Sequence, residues 1–313
     1  MGLPNQEILE RLQKNMESVV LGKTEVVRMT LVALLAGEHV LLEDVPGVGK
    51  TLIAKALAKS LDGKFARVQF TPDLLPSDIV GSSIYHSGTG KFNFNQGPVF
   101  ANVVLADEIN RAPPRTQSAL LESMSERQVS VDGETHFLPK PFMVMATQNP
   151  FEFEGTYLLP ESQLDRFLLR VEVGYPARQS ERNVLTSHRE GEPVDELKSV
   201  VSLAEVLTVQ NHVRHIRFDE SVLDYLQDLV EATRTSSELH VGVSTRGALG
   251  LYRAAQSLAL LENRDFVVPD DIKRLAIPAL AHRVVARGFA AGSDRATAEA
   301  IIRSLLERLT VPT

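Results

Sequence analysis

The stretch Asp44-Val45-Pro46-Gly47-Val48-Gly49-Lys50-Thr51 has the residue types needed to hold phosphate. Gly47 and Gly49 allow the backbone to curl so that successive N–H groups face one point, an anion nest. A helix opening at Lys50 adds free N–H groups and the positive end of its dipole. Lys50 suits the β- and γ-phosphates of a nucleoside triphosphate, and the Thr51 hydroxyl suits its Mg²⁺. Pro46, Gly47, Val48, Gly49 and Leu52 complete the expected contacts. The usual pattern has Gly where this chain has Asp44, a departure. A Gly-rich turn before an ordinary helix is the competing reading. The apolar run Val40-Leu41-Leu42 just before the loop, and a helical pattern just after it, favour the phosphate reading.

A second constellation ends the apolar run Val103-Val104-Leu105-Ala106 with Asp107-Glu108. In an open α/β sheet, ligands sit at the carboxyl ends of the strands. Asp107 then suits the Mg²⁺ shell, and Glu108 suits activation of an attacking water. A solvated acidic turn is the alternative for the pair alone; the phosphate loop upstream favours chemistry. Asn149 follows a third apolar run and could bond the water or the γ-phosphate, or serve only as a turn residue before Pro150. Arg166, just before a fifth run, reads equally as a site residue or as a surface partner of Asp165 or Glu161. His212 and His215 lack a third ligand at metal spacing, and no Gly-x-Ser-x-Gly elbow occurs.

Elements must position these groups. Five short runs read as parallel strands covered on both faces: Val40–Leu42, Ala66–Phe70, Val103–Ala106, Phe142–Ala146 and Leu169–Val173. Helical patterns at 50–61 and after Pro113-Pro114 separate them, implying a right-handed α/β sheet. Asp132-Gly133, between alternating residues of 128–138, predicts a hairpin projecting from that sheet. After about Gly191 the strands stop, and helices are expected near 203–215, 220–235, 245–263, 269–277 and 295–309. The expected architecture is a parallel five-stranded α/β domain over 1–190, followed by a small all-helical lid domain over 191–313.

Composition sets the outer limits. The chain has 313 residues, 43% of them hydrophobic, enough for a full core. It has no cysteine, which excludes disulfides, thiolate metal sites and thiol nucleophiles. The formal net charge of −7 argues against general affinity for nucleic acid. No signal peptide or membrane span is expected, so a soluble, cytoplasmic protein is expected.

Taken in order, the segments match one family. They are 43–51, Gln69-Phe70-Thr71-Pro72-Asp73-Leu74-Leu75-Pro76-Ser77-Asp78, Gly97–Asn102, Leu105-Ala106-Asp107-Glu108-Ile109-Asn110-Arg111-Ala112, Ala146-Thr147-Gln148-Asn149-Pro150, and Leu158–Phe167. The chain resembles the AAA+ ATPases, P-loop NTPases, and within them the MoxR group, over nearly its whole length. Asp44 is usual in that group. The resemblance implies Walker A at Lys50 and Thr51, Walker B at Asp107 and Glu108, and sensor 1 at Asn149. It implies an arginine finger at Arg166 acting on ATP held by the neighbouring subunit, with Arg111 and Arg115 as rivals. It implies sensor 2 at Arg246, reaching the γ-phosphate from the lid and coupling phosphate loss to lid rotation. Val20-Leu21-Gly22 resembles the adenine-contacting segment, and reads equally as a plain helix boundary. Residues 82–96 resemble the helix 2 insert and 128–138 the hairpin before sensor 1. Their tips, such as Tyr85, His86 and Lys91, would touch a client or be simple solvated loops.

The implied activity is Mg²⁺-dependent ATP hydrolysis by a homo-oligomeric ring, usually hexameric. Its implied role is chaperone-like remodelling or activation of partners, often ones with a von Willebrand A domain. A nucleotide-gated scaffold and a chelatase- or DNA-motor-type relative are the alternatives.

Overall fold

The computed structural model describes residues 5–44, 47–88, 90–149, 155–187, 191–288 and 295–312, with the Ser187 side chain excepted. Helices α1 (Gln6–Glu17) and α2 (Thr24–Ala36) lead into β1 (Val40–Glu43), α3 (Lys50–Ser60) and β2 (Phe65–Gln69). Then come α4 (Pro76–Val80), the pair β3 (Gly81–His86) and β4 (Lys91–Gln96), β5 (Val103–Asp107) and α5 (Pro114–Glu126). The pair β6 (Gln128–Val131) and β7 (Glu134–Phe137), β8 (Met143–Gln148), α6 (Glu161–Leu164), β9 (Leu169–Glu172) and α7 (Arg178–Ser187) follow. The last part holds α8 (Leu203–Val213), α9 (Glu220–Thr235), β10 (Leu239–Val241), α10 (Thr245–Leu261), α11 (Pro269–Leu280), β11 (Val285–Ala286) and α12 (Arg295–Arg308).

The main sheet has the order β2-β5-β8-β1-β9, with every pair parallel. Every residue of β1, β5 and β8 is buried, which is why these strands read as unbroken apolar runs rather than alternating ones. Parallel strands put all their carboxyl ends on one edge, so the turns after β1, β5 and β8 converge there. The five expected strands are all present, displaced by no more than two residues. Asp132 and Gly133 take positive φ, 52° and 84°, as the two-residue turn joining β6 to β7 requires. Phe94 of β4 stacks on His136 of β7 with ring centroids 4.0 Å apart, which ties the two hairpins together.

One expectation about the helical part needs correction. Strands do not stop at Gly191: β10 and β11 form a small antiparallel pair, too short to show alternation in the sequence. The helical part also packs on the elements that precede it. Helix α2 is apolar on almost every side and contacts α10, α8 and β9, so residues from both ends of the chain share one core. A helix apolar all round must be covered all round.

Candidate active site

Gly47 and Gly49 have φ of +86° and +93°, a region costly for any residue with a Cβ. A Cβ added at either would meet nothing within 4 Å, so the glycines are required by backbone conformation and not by crowding. Pro46 lies outside the described residues. Helix α3 starts at Lys50, directly after the second glycine. Lys50 is buried, and its Nζ donates to the Asp44 carbonyl at 2.7 Å. Burial pulls its pKa below the usual lysine value, opposed by the charges of Asp107, Asp44, Glu108 and Glu43. Asp44 itself has a local job: its carboxylate accepts from the Gly174 N–H, joining the end of β1 to the turn after β9.

A cavity of about 560 Å³ opens beside this loop. Gly47, Gly49, Lys50, Thr51, Leu52, Asp107, Glu108 and Asn149 all line it, so residues from three strand ends meet as expected. That size suits a small-molecule site. Thr51 and Asp107 offer hard oxygen donors on one cavity, which fits Mg²⁺. Among the described residues no three His, Cys, Asp or Glu side chains converge as a metal site. Phosphate oxygens and water would therefore complete the ion's shell.

The acid pair is more firmly held than the sequence indicated. Thr147 Oγ1 donates to Asp107 Oδ1 at 2.6 Å and accepts from the Glu108 N–H at 2.8 Å. Glu108 has φ 57°, left-handed for a non-glycine residue, as strained functional positions often are. From the edge strand β2, Arg67 pairs with Asp107 at 2.7 Å, and Gln69 Nε2 donates to Glu108 Oε2 at 2.7 Å. The sequence reading gave no site role to Thr147, Arg67 and Gln69, nor to the cavity-lining Lys55, Glu192 and Val194. The alternation of Arg67 and Gln69 on a strand beside the Asp107 strand was the available signal.

Val20, Leu21 and Gly22 do not line this cavity. Gly22 sits against α7: a Cβ there would lie 2.3 Å from Ser180 Oγ. The next residue, Lys23, donates to the Val173 and Gly174 carbonyls. The segment thus lies beside the turn that Asp44 also holds.

Arg166 and Arg246 lie elsewhere. Both line a second cavity of about 360 Å³, together with Glu38, Arg127, Asp165, Arg253 and Arg283. Arg246 therefore does not line its own chain's phosphate cavity, contrary to expectation. Ser244 explains why: it caps α10 by accepting from the Gly247 N–H, and its hydroxyl also donates to Asp165 at 3.2 Å. That contact ties the N-terminus of α10 to the segment that carries Arg166. Arg283, almost fully buried, pairs with Asp165 at 2.8 Å and donates to the Phe167 carbonyl at 2.8 Å, fixing the same junction. Arg166 Nη1 donates to the Leu121 carbonyl and to Ser125 Oγ, both at 2.5 Å. Arg246 is exposed and has no ion pair or hydrogen bond among the described residues. Arg111 lies 3.5 Å from Glu108, and neither it nor Arg115 lines the second cavity.

Comparison with known proteins agrees with this layout. The family model described as "ATPase family associated with various cellular activities (AAA)" matches residues 39–169, and the AAA lid domain model matches 231–305. The chain is 42% identical to the chaperone MoxR1 of Mycobacterium tuberculosis, covering 97% of this chain and 82% of that one. It belongs to the MoxR-type AAA+ ATPase family. Protein MoxR of Paracoccus denitrificans is 30% identical over 93% of this chain and 91% of its own length. YeaC of Bacillus subtilis is 48% identical, covering 97% and 95%. A crystal structure of a proposed ATPase from Cytophaga hutchinsonii superposes with a TM-score of 0.88 at 38% identity, covering 98% of this chain and 96% of that one. Like it, this MoxR-type chain has a parallel sheet flanked by helices and followed by a helical lid.

Proposed function

We propose that this chain binds ATP with Mg²⁺ in the phosphate-loop cavity and hydrolyses it only after assembly into a homo-oligomeric ring. The observation that carries the reading is the split between the two cavities. One holds Lys50, Thr51, Asp107, Glu108 and Asn149; the other holds Arg166 and Arg246. The acidic groups and the arginines are complementary, and copies placed head to tail around a ring would each complete the site of one neighbour.

In that arrangement the Gly47–Thr51 backbone and Lys50 hold the phosphates. Thr51 and Asp107 hold Mg²⁺, which supplies charge neutralisation to the β- and γ-phosphate oxygens. Glu108, set in place by Gln69 and Thr147, orients water toward the γ-phosphate, and Asn149 lies at the same edge. Arg166 and Arg246 of the next subunit stabilise the charge that develops as the phosphoryl group leaves. Arg246 enters this scheme in trans, so lid rotation within one chain is not needed. The phosphate-loop domain is taken to end near residue 190, with the helical lid beyond it.

The role proposed is chaperone-like remodelling of a partner, in keeping with the relative named as a chaperone. The hairpins at 81–96 and 128–137 carry exposed Tyr85, Phe92 and Phe137 and are the proposed client-facing parts. A von Willebrand A domain protein is the proposed partner class, and six the proposed ring number. No described helix is long and apolar enough to cross a membrane, and a cytoplasmic location is proposed. Nucleic acid is not a proposed partner, given the acidic balance.

Mixing variants tests the reading. Glu108→Gln disables a chain's own site but leaves its arginines intact; Arg166→Ala does the reverse. Each alone should lose about 10³-fold or more in ATPase rate. An equimolar mixture should recover part of the wild-type rate. No recovery in mixed assemblies would refute action in trans. Glu108→Gln rings that assemble with ATP and still mature a client would favour the scaffold alternative.

A further inference from the structure

The phosphate-loop cavity contains a cation for which the reading above has no role. Arg67 and Gln69 are two residues apart on β2, and so project from the same face of the edge strand toward the acid pair. Arg67 Nε and Nη2 lie 3.1 and 2.7 Å from Asp107 Oδ2, and Nη2 also donates to Gln69 Oε1 at 2.9 Å. With Thr147 on Oδ1, both oxygens of Asp107 are engaged by protein donors.

The hold on Oδ2 is of an exchangeable kind. The Arg67 side chain is 49% exposed and that of Asp107 13%, whereas the Arg170–Glu43 pair between β9 and β1 is 14% and 5% exposed. Water reaches the half-exposed guanidinium, so it can leave the carboxylate and be resolvated at modest cost. Asp107 is also the carboxylate assigned to the metal. A divalent cation and a guanidinium repel each other strongly at contact distance, so they cannot both take Oδ2 at full strength.

We propose that Arg67 is the resident counter-ion of Asp107 and yields it to a divalent cation arriving with the nucleotide. Arg67 then sets how strongly nucleotide binding depends on metal. Without metal, it neutralises the carboxylate that would repel the phosphates. With metal, it must give way, which offsets part of the metal's benefit. The proposal rests on the cavity being the nucleotide site.

The test is the dissociation constant of a fluorescent ADP analogue for the full-length protein, measured in EDTA and at saturating Mg²⁺. The quantity read is the ratio of the two constants. In Arg67→Gln the ratio should rise about tenfold or more, since binding weakens in EDTA while binding with Mg²⁺ holds or tightens. Arg67→Lys keeps the charge and should stay within about threefold of wild type. Should Arg67→Gln not fold, Arg67→Met carries the same comparison with its stem packing retained. An unchanged or lower ratio overturns the proposal. That holds whether affinity falls equally in both conditions, as for a phosphate ligand, or does not fall at all. Wild-type protein that binds no nucleotide in either condition would refute the reading of the cavity itself.

Discussion

Thr147 is the residue whose loss should be most informative. It is fully buried on β8, and its hydroxyl serves both members of the acid pair. Thr147→Val keeps the shape and removes the hydroxyl. The lost bond to ionised Asp107 is charge-assisted and worth about 1.5–3 kcal/mol. The Glu108 N–H, in a partly buried place, loses its acceptor at a further cost of about 1 kcal/mol. The total is about 2.5–4 kcal/mol from a stability of order 5–15 kcal/mol. A chain with no tryptophan is best followed by circular dichroism. The urea midpoint should fall by roughly 1 M, given a slope of ~3 kcal/mol/M. Released from Thr147, Glu108 should also relax from its left-handed backbone, and the ATPase rate should drop more than nucleotide affinity does. Thr147→Ser keeps both bonds and loses one methyl, so about 1 kcal/mol and little activity should be lost. A Thr147→Val protein with an unchanged midpoint and rate would refute this account of the acid pair.

Three further outcomes are expected. Gly49→Ala should weaken nucleotide binding by about tenfold or more while barely moving the melting temperature, because its φ of +93° is lost but no packing contact is disturbed. Asp165→Asn leaves the buried Arg283 guanidinium without its charge partner and should cost about 3–5 kcal/mol by urea titration. Its nucleotide binding should stay intact, since Asp165 does not line the phosphate cavity. Stability should also fall on mild acidification. His39 and His282 are fully buried, and desolvation first of all holds both below the usual histidine value; Arg283 adds to the effect on His282. Their unfolded forms bind protons near pH 6.5 and the folded forms do not, so the unfolded state gains protons first. The stability they confer is complete above about pH 6.5 and is lost as pH falls toward their folded values, by up to ~1.4 kcal/mol per pH unit for each. Urea midpoints that stay level from pH 7 to 5.5 would contradict this.

The readability of the site in the sequence followed its locality. The nest needs glycines, a lysine and a threonine within a few residues, so its chemistry is written in consecutive positions. The acid pair and Asn149 were legible because each closes an apolar run, and parallel strands must bring such ends together. Thr147 was not legible. It directly follows a run already explained as a strand, and its partners are 40 and 39 positions away. His39 was hidden in the same way: it accepts from the Val144 N–H and donates to the Met124 carbonyl, so a residue that looks like a strand's leading polar position is a core bracket.

The eight residues from Asp44 to Thr51 and the pair Asp107-Glu108 determined by themselves that this chain should handle phosphate and its metal, because glycine dihedrals and charge types are properties of the residues. Which cavity the arginines line was decided only by the tertiary structure. Arg166 and Arg246 are 80 positions apart, and nothing local distinguishes an arginine aimed at its own site from one aimed outward. The contacts of Asp165 with Ser244 and Arg283 make that choice, by clamping the lid so that both arginines line a cavity separate from the phosphate loop. Direction in space is a property of packing between distant segments, and no local run of residues encodes it.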